Sequence, residues 1–375
     1  MGKLRVSIDA TPLLLRSAGV KTYVYYWIQS LREVAARGQA IDLFPFIGEP
    51  GECVHDRSSV SALRTFASLA WLQLANATAL PLLNAVGSHC HVFHASHQLL
   101  RPPTNCRVSA TLYDMTCWLV PQLHSTANVR MAKTFARLVL ERADGMLAIS
   151  ESTKRDTVRI LGLDPGRIAV IYPGVAEAFF TPHAAYTGKP YILFIGTVEP
   201  RKNIGVLLDA YGLLPERLRD AFDLVIAGSP GWGDPQVLER LHSGLGGVRY
   251  LGYVGEDKIP LLNAGATVFV YPSLYEGFGL PVAQAMAAGV PVITSNVSSL
   301  PEVAGDAALL VDPRDAGGLA ETLERLLESN TLQDNLRQAG LRRAQEFHWK
   351  VCARRSLRYF ERVAQGRTAA CAASD

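Results

Sequence analysis

The sequence lacks a strong excess of one charge and a recognisable cysteine pattern. Its 375 residues include 37 lysines and arginines against 34 aspartates and glutamates, so the formal net charge is only +3. Proteins that bind the phosphate backbone of nucleic acids usually have a strong basic excess, and nucleic acid is therefore not expected as a partner. The six cysteines form no C-x-x-C pair and match neither a zinc nor a disulfide pattern. We interpret them as free thiols in a reducing cytoplasm.

The sequence also lacks the pattern of a signal peptide and an evident membrane span. Its N-terminus enters a strand-like pattern directly, without a separate apolar core. Residues 65–88 contain no charged side chain and are long enough to cross a bilayer, but polar residues and Pro81 interrupt them. The composition favours a core helix, whole or broken at Pro81, over a surface that contacts a membrane or an apolar acceptor. It favours both over a true span.

The length exceeds that of one ordinary domain, and the order of elements divides it in two. An apolar fraction of 49% with 19% charged residues suits large buried cores. Short β-branched runs alternate with helical stretches, pause in a region rich in proline and glycine at 171–190, and restart at Tyr191. This alternation predicts an α/β fold of two doubly wound, Rossmann-like domains, with a ligand in the cleft at the carboxyl ends of their strands.

Domain boundaries and strands follow from the same pattern. We expect an N-terminal domain at 1–175, a linker at 176–190, a second domain at 191–348, and a last helix within 349–375 that packs on either domain. The predicted strands are Leu4–Asp9, Ile41–Ile47, His91–His94, Val108–Leu112, Met146–Ile149, Tyr191–Gly196, Leu224–Ala227, Val248–Leu251, Val268–Tyr271 and Pro291–Thr294.

The most informative segment is 271–296, Y-P-S-L-Y-E-G-F-G-L-P-V-A-Q-A-M-A-A-G-V-P-V-I-T-S-N. A strand is followed by a turn that contains Glu276, and then by a helix with Pro281 in its first turn. Free N–H groups at such a helix start suit an anionic or hydroxyl-rich ligand. An acidic residue in a tight glycine turn is also a common structural feature. Gln284 lies off the apolar face of this helix and is free to point toward the turn.

Further candidates follow earlier strands. Arg201 and Lys202 stand just before a predicted helix, and two cations at a helix start form a natural diphosphate site. The alternative is a solvated basic pair. Gly19 follows the first strand in a turn that resembles a phosphate-approach loop only loosely. Histidines at 89, 91, 94 and 97 hint at a metal, but suitable acidic or cysteine ligands are missing, so we interpret them as cleft or core residues.

Taken together, these segments resemble the retaining glycosyltransferases of GT-B architecture, in the large group called family 4. The resemblance covers nearly the whole chain. It is densest at 191–203 (YILFIGTVEPRKN), 248–254 (VRYLGYV), 271–296 and 296–313 (NVSSLPEVAGDAALLVDP), with further matches at 149–156 (ISESTKRD) and 171–175 (IYPGV). It implies two Rossmann-like domains that face a central cleft.

The resemblance also implies roles for single residues. Arg201 and Lys202 would hold the diphosphate of a nucleotide-sugar donor, and Glu276 would bind hydroxyls of the donor sugar. The remaining implied donor contacts are main-chain groups of Gly19, Val254, Phe278, Gly279 and Leu280. The family is usually metal-independent, and the sequence has no D-x-D-like metal motif, so neither a metal nor another cofactor is expected.

Two positions depart from the family pattern. The family usually has a second glutamate eight positions after the first, where it binds the ribose, and here that position is Gln284. A glutamine still hydrogen-bonds a diol, so the replacement affects donor affinity or choice more than the fold. A His-Asp pair often follows the strand near residue 112, and here it is Tyr113-Asp114, which indicates a different sugar. We assign Tyr113, Asp114 and His97 to sugar or acceptor contacts.

The implied activity is transfer of a hexose, with retention, from a nucleotide sugar to a hydroxyl of a glycan or a lipid-linked glycan in surface polysaccharide assembly. The E-P-R-K-N sequence is similar to that of mannosyl- and rhamnosyltransferases, and GDP-mannose is the first donor to test. The alternative, motivated by Gln284 and Tyr113, is a protein of the same fold that binds a nucleotide sugar or glycan without turnover. The expected location is the cytoplasm, either free or peripheral on the inner face of the cell membrane.

Overall fold

Both halves of the chain form parallel β-sheets, as the strand–helix alternation predicts. In the computed structural model the chain divides into two units, residues 1–174 with 349–375, and residues 175–348. The structure describes residues 4–15, 19–45, 48, 50–51, 53, 57–78, 83–96, 99–181, 187–231, 235–243 and 246–367. Each unit contains a six-stranded sheet, and the described strand pairs are all parallel. The predicted α/β fold class is confirmed.

The order in which the chain adds strands to the first sheet reverses at its first strand. Its strands are β1 (Leu4–Asp9), β2 (Gln39–Phe44), β3 (Val92–Ala95), β4 (Arg107–Leu112), β5 (Gly145–Ala148) and β6 (Ile168–Val170). Their order is β2–β1–β3–β4–β5–β6. The chain therefore adds β2 on one side of β1 and all later strands on the other.

The second sheet has the same kind of reversal. Its strands are β7 (Tyr191–Ile195), β8 (Asp223–Ala227), β9 (Val248–Gly252), β10 (Val268–Tyr271), β11 (Val292–Ser295) and β12 (Ala308–Val311). Their order is β12–β11–β10–β7–β8–β9. Two strands that the sequence pattern did not predict, β6 and β12, are edge strands.

Helices connect the strands in both units. Those of the first unit are α1 (Gly19–Val34), α2 (Ala62–Ala77), α3 (Asn84–Gly87), α4 (Thr116–Leu119), α5 (Thr126–Phe135), α6 (Glu151–Leu161) and α15 (Trp349–Ala364). Those of the second are α7 (Ile204–Leu213), α8 (Glu216–Ala221), α9 (Pro235–His242), α10 (Ile259–Ala264), α11 (Leu280–Ala287), α12 (Leu300–Ala304), α13 (Ala316–Leu327) and α14 (Asn330–Ala344). Single 3-10 turns include Glu177–Phe179 and Pro200–Lys202, and Ala136–Leu140 is a π-helical turn after α5.

The last helix belongs to the first unit. In α15, Ser356 Oγ accepts a hydrogen bond of 2.9 Å from the indole N–H of Trp27 on α1, and Phe360 packs on the same indole at 5.9 Å between ring centroids. The chain leaves the second unit just before α15, where Val175 N donates to Phe347 O at 2.6 Å. Phe180, within the expected linker, stacks on His348 at 4.1 Å between ring centroids, so the start of that segment packs on the second unit.

The uncharged segment 65–88 forms parts of two helices. Helix α2 buries Ser68, Leu72 and Ala75 and exposes its other side, and α3 follows at Asn84. Pro81, where a break was expected, lies outside the described residues. No helix in the described ranges has both the length and the apolar character needed to cross a bilayer.

Candidate active site

The candidate site lies where the strand order of the second sheet reverses. Strands β7 and β10 are neighbours, but the chain runs from β7 toward β8 and from β10 toward β11, on opposite sides. The loops that follow them therefore diverge, and such a divergence leaves a crevice at the carboxyl ends of the strands. Arg201 and Lys202 follow β7, and Glu276 follows β10.

Asn203 fixes the turn that carries the two cations. Its backbone is left-handed, with φ of 59°, a conformation that asparagine tolerates better than most residues. Its side-chain amide donates to Pro272 O at 3.0 Å and to Pro313 O at 2.6 Å. Asn203 therefore ties the end of the Pro200–Lys202 turn to the chain that leaves β10 and to the chain that leaves β12.

The structure brings Arg201, Lys202 and Glu276 into direct contact. Lys202 Nζ donates to Glu276 Oε1 at 2.7 Å, and Arg201 Nη1 lies 2.7 Å from Glu276 Oε2. Arg201 also pairs with Glu199 at 2.5 Å and donates to the carbonyl of Tyr275 at 2.7 Å. Two cations and two carboxylates thus balance within one largely buried cluster.

Two uncharged side chains complete the contacts of Glu276, and the sequence pattern did not identify either of them. Tyr271 OH lies 3.0 Å from Glu276 Oε1 and accepts a hydrogen bond from Lys202 Nζ. Ser273 Oγ donates to the same Oε1 at 2.7 Å. Because an ammonium group has no acceptor, Tyr271 must accept from Lys202, and its own proton then goes to Glu276. The direction of this network is therefore fixed.

The cluster perturbs the ionisation of its members. Burial raises the pKa of Glu276, but the charges of Arg201 and Lys202 outweigh it and lower that pKa to about 2. Burial, with repulsion from Arg201, lowers the pKa of Lys202 despite the attraction of Glu276. Burial opposes the charge of Arg201 as well, yet the carboxylates of Glu276 and Glu199 raise its pKa. At neutral pH Glu276 is therefore an ionised carboxylate, and both of its oxygens are paired with cations.

The β11–α12 loop holds the backbone of the Glu276 turn. Ser298 Oγ accepts from the N–H of Glu276 at 3.0 Å, and the single hydroxyl proton of Ser299 is shared between the carbonyls of Glu276 and Phe278, which lie 2.9 and 2.8 Å from its Oγ. Ser298 has a φ of 55°, which is uncommon for a residue other than glycine and is typical of functional sites. These contacts set the main-chain path of the turn without engaging its carboxylate.

Glycine is required where this turn enters α11. Gly279 has a φ of 100°, and an added Cβ would lie 2.6 Å from Leu300 Cδ2. Within the described ranges, no acceptor lies against the N–H groups of Gly279 and Leu280. These groups are oriented as a helix start requires for binding an anion or a hydroxyl.

The other predicted donor contacts occupy different positions. Phe278 turns its ring into the core, at 5.5 Å from the ring of Phe347, so its side chain does not face a ligand. Gln284 is half-buried on α11, and in the described part of the chain its amide makes no hydrogen bond. Val254 is half-buried in the loop after the edge strand β9.

The first unit holds the remaining candidates. Gly19 is the exposed first residue of α1, and an added Cβ would meet no described atom within 4 Å. Tyr113 packs edge-on against Tyr23 at 5.5 Å, and burial raises the pKa of its phenol. Asp114 is exposed but accepts from the N–H and the hydroxyl of Thr116, at 2.9 and 2.5 Å, so one of its oxygens stabilises the local turn. His97 lies outside the described residues.

His94 is a core residue. Its ring nitrogens lie 2.8 Å from Ser109 Oγ and 2.8 Å from Thr111 Oγ1, and its ring packs against Trp27 at 5.0 Å. Burial lowers its pKa from 6.5 to about 3, so it is neutral at physiological pH. Over the described part of the chain, no three His, Cys, Asp or Glu side chains are grouped closely enough to hold a metal ion.

Family comparisons cover both units. The family described as "Glycosyl transferases group 1" matches residues 175–343, and that described as "Glycosyltransferase Family 4" matches residues 17–179. The O-antigen chain mannosyltransferase B of Escherichia coli is 34% identical over 281 residues, which are 72% of this chain and 72% of the relative. The chain belongs to the family 4 glycosyltransferases.

Solved structures of other glycosyltransferases share its fold. Sucrose-phosphate synthase from Thermosynechococcus elongatus has a TM-score of 0.71 at 22% identity, over 96% of this chain and 99% of that chain. Anabaena HepE in complex with UDP-glucose has a TM-score of 0.69 at 17% identity, over 95% and 99%. The predicted GT-B fold is confirmed, and the roles assigned to single residues of this glycosyltransferase stay predictions.

Proposed function

We propose that the protein transfers mannose, with retention, from GDP-mannose to a hydroxyl of a glycan or a lipid-linked glycan in surface polysaccharide assembly. The observation that carries the proposal is the contact between Arg201, Lys202 and Glu276 at the strand reversal of the second sheet. A relative at 34% identity is named a mannosyltransferase of an O-antigen chain, which supports mannose as the sugar. The acceptor would be met at the cytoplasmic face of the membrane.

The cluster has the charges that donor cleavage requires. Breaking the bond between sugar and diphosphate builds negative charge on the leaving group and positive charge on the sugar ring. Arg201 and Lys202 would stabilise the leaving diphosphate, and groups fixed in advance do this most effectively. Glu276 would orient sugar hydroxyls, and its negative charge is compatible with the positive charge that develops on the sugar ring. The proposal needs no metal, since the two side-chain cations would face the leaving group.

Donor binding would rearrange the cluster. In the free site both cations are engaged by Glu276, so an incoming diphosphate must draw them away from that carboxylate. Tyr271 and Ser273 still hold Glu276 Oε1 when the cations move, which keeps the carboxylate in place for the sugar. Diphosphate binding would thus make Glu276 available to the sugar hydroxyls.

The test is a panel of nucleotide sugars incubated with mannosylated acceptors, with released nucleotide as the measurement. GDP-mannose should give nucleotide release that depends on acceptor and persists in the presence of a chelator. An α-linked product detected by NMR would establish retention. Glu276→Gln should lose turnover, whereas Glu302→Gln, a matched change on α12, should not.

Two outcomes would redirect the proposal. Tight nucleotide binding without release from any donor would favour the alternative, a binding protein of the same fold, which the replacements Gln284 and Tyr113 motivate. Release from another nucleotide sugar but not from GDP-mannose would keep the enzyme and reject the donor.

A further inference from the structure

One side of α2 is apolar and exposed. Leu63, Phe66 and Leu74 have 80%, 74% and 48% of their surface exposed, and their spacing places them on one side of the helix. The other side is buried, with Leu72 and Ala75 in the core of the first unit. We call the exposed side, from Leu63 to Leu74, the α2 face.

The charged residues in the part of the sequence that contains α2 have a single sign. Residues 57–113 contain four arginines and no aspartate, glutamate or lysine. Arg64 lies exposed in the first turns of α2, and Arg101 lies exposed at its other end, where its Nε donates to Asn76 O at 3.3 Å. The apolar side chains therefore lie between two exposed guanidinium groups. This combination is complementary to a lipid layer, which has an apolar interior and anionic headgroups at its surface.

We propose that the α2 face docks on a membrane surface that contains anionic lipid. Amphipathic helices bind such surfaces by inserting apolar side chains at the level of the headgroups while basic side chains pair with lipid phosphates. Leu63 and Phe66 supply the first contact, and Arg64 and Arg101 supply the second. The proposal does not depend on the donor or the reaction, because α2 contributes no residue to the cluster around Glu276.

Sedimentation with lipid vesicles tests the proposal on the full chain. The vesicles are pure phosphatidylcholine or an equal mixture of phosphatidylcholine and phosphatidylglycerol, without donor or acceptor. We expect the mixture to bind at least about tenfold more tightly, and added salt to weaken that binding. Leu63→Ser with Phe66→Ser should reduce the affinity about tenfold or more, and Arg64→Gln about fivefold.

Leu213→Ser is the matched control, since Leu213 is 61% exposed at the end of α7 in the second unit and should not affect vesicle binding. Equal sedimentation of the double variant and the wild type overturns the proposal, and so does equal binding to neutral and anionic vesicles. If the wild type ignores vesicles but forms a dimer that the double variant loses, the face binds a second copy and the lipid proposal is wrong.

Turnover separates this proposal from the proposed function. The double variant should process a soluble acceptor at the wild-type rate and keep the wild-type circular dichroism spectrum. A wild type that binds anionic vesicles but turns over no nucleotide sugar would overturn the proposed function and leave the α2 face standing. A wild type that turns over the donor but does not bind anionic vesicles would overturn the lipid proposal and leave the proposed function standing.

Discussion

Replacing Glu276 by glutamine is expected to tighten the binding of a nucleoside diphosphate while stopping sugar transfer. Lys202 and Arg201 each lie 2.7 Å from an oxygen of Glu276. A diphosphate needs the same two cations, so the carboxylate competes with it. Glutamine removes the competing charge but retains an oxygen that accepts from Tyr271 and Ser273.

The size of the effect follows from the contacts that glutamine weakens. A hydrogen bond to a charged group contributes about 1.5–3 kcal/mol net, and 1.4 kcal/mol corresponds to about tenfold in affinity. The side chains of Arg201 and Lys202 are 19% and 11% exposed, so solvent screens their pairing with Glu276 only weakly. If the competing contact is lost at one cation, GDP should bind about 10- to 100-fold more tightly.

Calorimetric titration with GDP and with UDP measures this change. Glu199→Gln is the control, because it removes a carboxylate that pairs with Arg201 alone, and a smaller gain in affinity is expected. Turnover by Glu276→Gln should fall by about 100-fold or more, since an interaction with the reacting sugar is lost. If this variant folds normally and binds GDP no more tightly than the wild type, the carboxylate does not compete for the cations and the reasoning is refuted.

Three more substitutions test other features of the two units. Lys202→Arg should extend GDP binding to higher pH, because the lowered pKa of Lys202 makes its ammonium lose charge as pH rises while a guanidinium stays charged; GDP affinity across alkaline pH measures this. Gly279→Ala should destabilise the second unit by about 1–3 kcal/mol, given its φ of 100° and the contact with Leu300, and an unchanged thermal transition would contradict this. His94→Gln should remove an acid-dependent loss of stability. The folded-state pKa of His94 is about 3, below the ordinary 6.5, so the unfolded chain binds the proton first and stability falls as pH decreases from about 6.5 toward 3. Urea unfolding at several pH values measures this loss, and the same acid response in both proteins would contradict it.

Two of the strands that the sequence predicted accurately are apolar runs of four or more residues in the interior of a sheet. Predicted and observed bounds agree to within one residue for Tyr191–Ile195 and Val268–Tyr271. The missed strands, Ile168–Val170 and Ala308–Val311, lie at sheet edges. Both are apolar runs, but the first has only three residues and the second has four that are mostly half-exposed or exposed, so each run is too short to identify a strand by itself.

The site residues that the sequence predicted are those that a local pattern marks. Arg201, Lys202 and Glu276 were found because charged residues that follow an apolar strand at a proline or glycine turn are conspicuous. Tyr271 was missed because a tyrosine at the end of an apolar strand reads as a core residue. Ser298 was missed because it reaches the N–H of Glu276 from the next loop, 22 residues away, and local patterns do not reveal such a contact.

A carboxylate links the two diverging strand ends in each unit. In the first sheet, Asp9 at the end of β1 accepts from the N–H of Ser96 after β3 at 3.2 Å, and from its hydroxyl. In the second sheet, Glu276 after β10 accepts from Lys202 after β7. Both contacts lie where the strand order reverses, so each unit has a polar link at the position where an α/β sheet binds ligands.

The two carboxylates differ in the charge of their partners. Asp9 is hydrogen-bonded by neutral groups of Thr11 and Ser96, and burial raises its pKa. Nothing in that link has a positive charge to offer an anion. Glu276 is held by two cations that lower its pKa, and those cations can exchange one anionic partner for another. Considered by themselves, the two links therefore favour the second unit as the place where the proposed diphosphate binds, and binding there would release a carboxylate for the sugar.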